Sequence, residues 1–368
     1  MPRQAGFTGS ATTVRSEAPT AQPLSPTPTR APNPRAHATN TLRKGTIGFI
    51  LAHEQFTVPD LLRFGEHASR SGFQLLATSD HFQPWQANEA HSGEAWVTLG
   101  ALGNLAPEAW MGTSVTCPTM RYNPAVVAEA FATLSHIYPG RVFLGVGSGE
   151  ALNEQAATGH WPKWQERWVR LAEAISIIRQ LWTGKYVSHK GDFYTVEARL
   201  YDPPSQPIPL FTAANGEKSM RLAGQLGDGL ITDPDTWKKF RGEWEAGARD
   251  IGKDPDQMPV MVEHFVVVGD ETEGLLAAEQ WRFIPNAFKG YFNIMDPAEI
   301  QRRAEAEVSL EKLMGQWPVS MDPEVHIAAI KELFDSGVSI VNVHSGQADQ
   351  AKVIDFYASK VLPTFAPT

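Results

Sequence analysis

Apolar runs of strand length alternate with longer mixed stretches from residue 45 to the end of the chain. The runs that we interpret as strands are TIGFILAH (46–53), FQLLATSD (73–80), AWMGTSVTCP (109–118), RVFLGVGSG (141–149), PIPLFTAAN (207–215), DGLITD (228–233), PVMVEHFVVVG (259–269) and VSIVNVHSG (338–346). The stretches that we interpret as helices are VPDLLRFGEHASRSG, EAWVTLGALGNLA, PAVVAEAFATLSHIYPG, WQERWVRLAEAISIIRQLW, a segment from Glu217, and QAKVIDFYASKVL. Repeated strand–helix units of this number predict a (β/α)8 TIM barrel of the α/β class. A doubly wound sheet, the alternative, rarely contains so many.

Two internal segments do not fit this repeat, and the N-terminal segment differs from both. GKYVSHKGDFYTVEARLY alternates like a β-hairpin inserted near residues 185–201, and residues 271–322 predict a helical insertion between the seventh and eighth strands. Residues 1–44 are rich in Pro, Thr and Ala and cannot bury enough surface to offset the entropy of ordering. We therefore predict a disordered tail over 1–44 and a single barrel domain over 45–368.

Composition and charge argue against membrane-spanning, nucleic-acid-binding and cysteine-based metal proteins. Of the 368 residues, 42% are hydrophobic and 20% are charged, which is typical of a globular protein. The net charge of -9 gives no electrostatic footprint for an anionic membrane or for nucleic acid, so no nucleic-acid partner is predicted. No apolar run reaches the roughly 18 residues of a membrane-spanning helix. The lone Cys117 excludes an internal disulfide and an all-cysteine metal cage, and no metal site is predicted.

The N-terminal segment lacks the sequence features of two export signals. It contains neither the apolar core of about 7–15 residues that a secretory signal needs nor a twin-arginine pair. We therefore expect a cytoplasmic protein, while a longer exported or cell-envelope form stays open. The sequence does not fix the oligomeric state, and a homodimer stays open as well.

Polar and titratable residues follow the predicted strands at the ends where a barrel of this kind carries its active site. They are His53-Glu54, Asp80-His81, Ser114, Gly149-Glu150, Asn215-Gly216, Thr232-Asp233, Glu263-His264 and His344. Ordinary solvation of a strand end explains any one of them. Several titratable groups on one rim predict a functional site.

Several of these residues suggest acid–base and ligand-binding chemistry. His81 is a candidate general base, because imidazole titrates near neutral pH. Asp80 beside it could hold a cofactor or orient the ring, or cap a turn, and Trp85 could wall a planar ligand or simply cover the barrel. Glu150 follows GVGSG, whose small residues let a ligand approach the backbone, although the spacing lacks the dinucleotide fingerprint. Glu54 is either a second acid on the rim or a neighbour of the first helix.

Three classes of function remain on these grounds. A metal-dependent barrel hydrolase usually has His-x-His after its first strand, whereas this chain has His53-Glu54-Gln55. A non-catalytic barrel that binds sugar or lipid does not need several acid–base groups on one rim. A redox enzyme that holds a flat heterocycle accounts for the indole, the glycines and the acid–base pair.

Four segments resemble a known family. SDHFQPW, TCPTMRYNPAVVAEAFATL, YPGRVFLGVGSGEALNE and GDGLIT are similar to actinobacterial glucose-6-phosphate dehydrogenases that use coenzyme F420, which belong to the luciferase-like barrel superfamily. The resemblance extends from about residue 45 to the C-terminus. WQANEAHSG and ITDPDTWKKF are most similar to the branch assigned as hydroxymycolic acid dehydrogenases. The resemblance implies that F420, a deazaflavin, accepts a hydride from the carbon that bears the substrate hydroxyl.

The resemblance also implies roles for individual residues. His81 would exchange the hydroxyl proton, Glu150 would handle the proton at the reduced ring, Trp85 would wall the site, and Glu54 would lie near the substrate. The residues matched to the cofactor site are Asp80, Ser114, Val115, Cys117, Gly147, Ser148, Asn153, Ala213, Ala214, Asn215 and Gly216, with a non-prolyl cis peptide at Ser114-Val115. The residues matched to the substrate site are Thr232 and Lys289.

The chain departs from the sugar-phosphate enzymes where those enzymes bind phosphate. Cys117 replaces a threonine that faces the cofactor, which removes a good hydrogen-bonding hydroxyl. Asp235 replaces a phosphate-binding lysine, Gln316 falls at the place of an arginine, and Lys289 is the candidate for the remaining lysine. We therefore predict an F420-dependent dehydrogenase whose substrate is a small-molecule or lipidic secondary alcohol without phosphate, hydroxymycolate-like compounds first. Glucose-6-phosphate dehydrogenase and a luciferase-like monooxygenase that uses flavin mononucleotide (FMN) are the alternatives.

Overall fold

The computed structural model describes residue 42 and residues 44–366, so nearly all of the predicted tail over 1–44 lies outside the described residues. In these residues the strands are β1 (Thr46–Leu51), β2 (Leu75–Thr78), β3 (Trp110–Thr116), β4 (Val142–Val146), β5 (Val187–Lys190), β6 (Thr195–Ala198), β7 (Leu210–Ala213), β8 (Gly229–Thr232), β9 (Val260–Phe265) and β10 (Ile340–His344). Eight of them pair in parallel and close into a barrel in the order β1-β10-β9-β8-β7-β4-β3-β2. The predicted (β/α)8 barrel is confirmed.

Helices connect the barrel strands. In the described residues the α-helices are α1 (Val58–Arg70), α2 (Ala95–Leu105), α3 (Pro124–Ile137), α4 (Ala151–Thr158), α5 (Trp164–Leu181), α6 (Glu217–Leu226), α7 (Pro234–Asp250), α8 (Glu271–Gln280), α9 (Pro297–Glu307), α10 (Leu310–Met314), α11 (Pro323–Asp335) and α12 (Gln350–Phe356). Short 3-10 turns lie at Pro255–Gln257, Ile284–Lys289, Tyr291–Asn293 and Leu362–Phe365, and a π-helical turn spans Tyr357–Val361. None of the helices described here is both long and apolar enough to cross a bilayer.

The strands are apolar on both faces because the barrel buries both. One face packs under the helices, and the other fills the barrel interior with a second apolar layer. Its members at the strand level are Leu75, Phe143, Phe211, Met261 and Ile340. Each such side chain contributes about 1.5–3 kcal/mol when fully buried. Gly112 lets β3 lie close to β4, because a Cβ at this position would lie 2.1 Å from the carbonyl oxygen of Phe143.

Two segments, 185–201 and 271–322, are inserted between the strand–helix units of the barrel. The strands β5 and β6 pair in antiparallel fashion in the segment 185–201. The segment 271–322 contains α8, α9, α10 and two of the 3-10 turns. It separates β9 from α11 and β10, so its side chains are available to cover the carboxyl ends of the strands.

Some predicted boundaries differ from the observed ones. The apolar pattern predicts a first strand up to His53, but β1 ends at Leu51. The backbone N–H of His53 leaves the ladder and donates to Ser79 Oγ at 2.9 Å. The sequence pattern also did not predict α4. This helix has only eight residues, and its N-cap residue Glu150 makes no side-chain capping bond, so the usual start signal is missing.

Candidate functional site

Glu54 and His81 meet at the carboxyl ends of β1 and β2. His81 Nε2 lies 3.4 Å from Glu54 Oε1, and Ser79 Oγ donates to Glu54 Oε2 at 2.5 Å. The side chain of Glu54 is only 2% exposed, so its carboxylate depends on these two partners in place of water. The structure thus brings His81, which the resemblance gives as the residue that exchanges the hydroxyl proton, next to Glu54, which it places near the substrate.

Asn153 determines which nitrogen of His81 carries the proton. The side-chain oxygen of Asn153 accepts the backbone N–H groups of Phe82 and Gln83, at 2.8 and 3.3 Å, so its NH₂ group must face the other way. That NH₂ lies 3.2 Å from His81 Nδ1 and donates to Glu150 Oε2 at 3.1 Å. Because Nδ1 faces a donor, the proton of the neutral ring lies on Nε2, towards Glu54.

Asp80 is buried and fully engaged by protein groups. Arg121 Nη2 donates to its Oδ1 at 2.8 Å, and Thr116 Oγ1 donates to its Oδ2 at 2.6 Å. Tyr122 OH lies 3.3 Å from Oδ1. These bonds hold Asp80 in the loop after β2, and its role as a cofactor-binding residue stays a prediction. Arg121 lies within the quoted segment TCPTMRYNP but was not singled out from the sequence.

Glu154 lies beneath the same arginine. Burial raises the pKa of Glu154 to about 7, against the lowering effect of the Arg121 backbone N–H, which donates to Glu154 Oε2 at 2.7 Å. A carboxyl whose folded-state pKa is raised favours the folded state only while it is protonated. Its contribution is therefore complete below the ordinary value of 4.5 and is lost as the pH rises to about 7.

We expect Glu154→Gln to remove this pH dependence. Relative to the variant, the wild type should lose about 3 kcal/mol of unfolding free energy between pH 4.5 and 7, since each pKa unit corresponds to about 1.4 kcal/mol. Urea unfolding of both proteins at pH 5 and pH 8 measures the difference. A gap between the two proteins that stays constant with pH would contradict the raised pKa.

Small residues leave room for a flat ring beside these groups. The peptide Ser114-Val115 is cis, as the resemblance implied. A Cβ on Gly147 would lie 2.7 Å from Val115 Cγ2, and Gly149 has a φ of 77°, which favours glycine. The surface between β3 and β4 therefore cannot carry further side chains. It fits the planar deazaflavin that the resemblance implies.

Other predicted cofactor residues surround this surface. Cys117 is buried, its Sγ lies 3.1 Å from Thr119 Oγ1, and burial raises the pKa of the thiol well above its ordinary value. Because the side chain of Glu150 does not cap α4, the backbone N–H groups of Ala151 and Leu152 have no side-chain acceptor among the described residues and can face an anionic part of a ligand. Ser148 lies at the same end of β4 and is half-buried.

The predicted residues after β7 and β8 form a separate edge of the site. Ala213 is half-buried and Ala214 is buried, whereas Asn215 is exposed and Gly216 is half-buried, at the start of α6. Thr232 donates its hydroxyl proton to the carbonyl oxygen of Ala214 at 2.7 Å, so this proton serves the barrel itself.

The residues of the expected phosphate pocket are all exposed. Asp235 lies in the first turn of α7, and Gln316 follows α10. Lys289 ends a 3-10 turn, and in the described part of the chain no hydrogen bond or ion pair joins its ammonium group to another residue. The same turn directs Phe288 towards Trp85, with ring centroids 6.1 Å apart.

Aromatic residues of the insertion 271–322 cover the barrel mouth, by which we mean the carboxyl ends of the barrel strands and their loops. Phe283 stacks on Trp85 at 4.7 Å, Trp281 lies 5.7 Å from Phe283, and Trp317 stacks on Phe265 at 5.1 Å. We call Trp281, Phe283, Phe288 and Trp317 the aromatic roof. The sequence pattern gave no role to these residues, because the path of an insertion does not follow from its composition.

Comparison with known proteins agrees with the geometry. A family profile described as luciferase-like monooxygenase matches residues 36–339. The F420-dependent hydroxymycolic acid dehydrogenase of Mycobacterium tuberculosis is 43% identical over 341 residues, which cover 92% of this chain and 90% of the relative. The F420-dependent glucose-6-phosphate dehydrogenase of Segniliparus rotundus is 36% identical over 327 residues, which cover 86% and 97%.

Solved structures give the same placement. An F420-dependent secondary alcohol dehydrogenase in complex with an F420-acetone adduct has a TM-score of 0.83 and 34% identity, and the match covers 88% of this chain and 100% of that chain. The F420-dependent tetrahydromethanopterin reductase of Methanopyrus kandleri shares the fold, with a TM-score of 0.69 and 20% identity. The protein therefore belongs to the luciferase-like monooxygenase family, in the group that contains the F420-dependent dehydrogenases.

Proposed function

We propose that this protein is an F420-dependent dehydrogenase that oxidises an apolar secondary alcohol. The relatives named above use F420, and one acts on hydroxymycolic acid and another on secondary alcohols. The observation that carries the proposal is the row of polar contacts Glu54–His81–Asn153–Glu150, which runs beside the flat surface of the barrel mouth. When bound there, F420 would accept the hydride from the alcohol carbon.

Glu54 and His81 would act on the hydroxyl group as a pair. The Asn153 amide keeps the imidazole proton on Nε2, so His81 donates a hydrogen bond and the carboxylate of Glu54 holds the free lone pair. We therefore assign the proton-accepting atom to Glu54, with His81 stabilising the oxygen as its charge grows. This refines the expectation that His81 alone is the base.

Glu150 would hold a proton near the reduced ring. Its Oε2 accepts from Asn153 Nδ2 at 3.1 Å, and its side chain is partly open to the site. Asn153 thus contacts both acid–base groups through the two hydrogens of one amide. We propose that it sets their distance as well as the tautomer of His81.

The covering of the mouth supports an apolar substrate. The aromatic roof and Trp85 form one continuous cluster with the barrel interior. A glucose-6-phosphate dehydrogenase is the second candidate, because relatives with that activity are 36% identical. The exposed Asp235 and Gln316 provide no positive charge for a phosphate. A cytoplasmic location and a homodimer stay predictions.

Cofactor titrations test the proposal. We expect F420 to bind with micromolar or tighter affinity and NADP not to bind, and the visible absorbance of F420 should fall when an alcohol substrate is added. FMN is the matched competitor, since luciferase-like monooxygenases of this fold include one solved with FMN. Binding of FMN as tight as that of F420, with no reduction of F420 by any alcohol, would show that the protein belongs to another reaction class.

A further inference from the structure

A second carboxylate–imidazole pair lies in the barrel mouth, on β9 and β10. Glu263 Oε1 accepts a hydrogen bond from His344 Nδ1. Both side chains point into the barrel, because Met261 and Ile340, two and four residues earlier on these strands, pack in its interior. The proton transfer proposed above uses neither residue.

The ring of His344 is held firmly between aromatic neighbours. It is 3% exposed, Phe265 stacks on it at 4.2 Å, and Trp281 meets it edge-on at 4.3 Å. An ionised carboxylate can only accept hydrogen bonds. His344 Nδ1 therefore carries the ring proton and donates a hydrogen bond to Glu263. Nε2 is buried and has no hydrogen-bond partner in the part of the chain that the structure describes.

Glu263 is open to the mouth although it points inward. Its side chain is 34% exposed. On the strands, Glu263 pairs in register with Asn342, and the next inward-facing pair below them is Met261 and Ile340, which belong to the closed apolar layer. An opening therefore reaches down to this carboxylate. Only Oε1 is bonded to a described residue, which leaves Oε2 able to accept a further hydrogen bond.

An aromatic wall connects this pair to the reacting pair. From His344 it continues through Trp281 to Phe283 at 5.7 Å, then to Trp85 at 4.7 Å, and from there to His81 at 5.9 Å. An apolar molecule that followed this row of rings from a reacting hydroxyl at His81 would extend towards Glu263, over intervening rings that are each at most 5% exposed. A carboxylate at the far end of an apolar wall is costly unless a ligand or water bonds to it.

We infer that Glu263 accepts a hydrogen bond from a second hydroxyl group of the substrate and that His344 is a positioning residue for this carboxylate. The inference rests on the proposed function and deepens it, since it selects diol-like alcohols over monohydroxy alcohols. An anionic group at this place would be repelled by Glu263. The substrate class is thus an apolar secondary alcohol with a further uncharged hydroxyl.

Paired substrates test the inference. Secondary alcohols of equal carbon number, with and without a second hydroxyl at graded separations, are compared by kcat/KM with F420 as acceptor. We expect the wild type to prefer one diol spacing. In Glu263→Met, which keeps the volume and removes the acceptor, that preference should fall about 10- to 100-fold, as expected for a hydrogen bond to a charged group.

Variants of His344 separate positioning from packing. His344→Asn keeps an N–H donor at the place of Nδ1 and should retain most of the diol preference, whereas His344→Leu should lose it. Glu271→Gln, an exposed carboxylate of α8, is the matched control and should change nothing. Binding of F420 and the melting temperature of each variant show that the fold is kept.

The outcomes separate the two proposals. If the wild type reduces F420 with no alcohol, the proposed function fails. If it oxidises monohydroxy alcohols and diols of every spacing equally well, the inference about Glu263 fails and the proposed function stands. The wild-type comparison alone decides this point if Glu263→Met does not fold.

Discussion

We expect the replacement of His81 by Ala to lower the turnover number by about 10²- to 10⁴-fold and to leave the affinity for F420 nearly unchanged. This range is the usual contribution of a positioned acid–base group. Glu54→Gln should reduce turnover by a similar factor, because the carboxylate of Glu54 and the imidazole of His81, 3.4 Å apart, would act on one proton. The double variant should be no slower than the worse single variant, since residues that act as a unit are not additive.

Steady-state rates across pH, together with F420 titrations, measure these effects. His136→Ala is the matched control, because His136 lies in the last turn of α3, which leads to the opposite end of the barrel. Among the described residues its imidazole bonds only to the carbonyl oxygen of Pro203. Wild-type turnover in both single variants at every pH would overturn the assignment. A strictly additive double variant would mean that Glu54 and His81 act in separate steps.

We expect glucose 6-phosphate to be a poor substrate, and we expect Asp235→Lys to raise kcat/KM for glucose 6-phosphate at least tenfold. A phosphate near charge −2 needs cationic partners, and Asp235 presents a carboxylate in the first turn of α7. With an effective dielectric constant near 20, each close charge contributes on the order of a few kcal/mol before screening. If screening leaves only a third of that energy, the dissociation constant for the phosphate still changes roughly tenfold.

The charge prediction has two controls. The gain from Asp235→Lys should shrink as ionic strength rises and should be absent for a neutral secondary alcohol. Glu332→Lys makes the same change of charge on α11, close to the start of β10 and therefore at the other end of the barrel. Efficient oxidation of glucose 6-phosphate by the wild type, with a Michaelis constant at or below the millimolar range, would show that other cations serve the phosphate.

The barrel and its reacting groups were predictable from the sequence for a physical reason. Strands buried on both faces appear as short apolar runs, and their carboxyl ends meet at one rim. Glu54 and His81 each follow within three residues of a strand, so their convergence depends only on the closure of the barrel. The motifs then supplied the chemistry that spacing alone left open.

Residues that arrive from long connections were not predictable in the same way. Arg121 reaches Asp80 from the loop after β3, and Trp281 and Phe283 come from an insertion of about fifty residues. Glu263 and His344 were recognised as rim residues, but their hydrogen bond depends on register and rotamer, which the pattern does not contain. Long-range side-chain contacts of this kind require the coordinates.

The aromatic roof comes from one continuous segment, whereas the proton-handling residues come from the ends of β1, β2 and β4. Exchange of that single segment between relatives would therefore alter which alcohols enter without disturbing hydride or proton transfer. This segment is therefore a unit that recombination between relatives, or protein engineering, could exchange as a whole. A library confined to residues 281–317 would sample new substrates on an unchanged catalytic base.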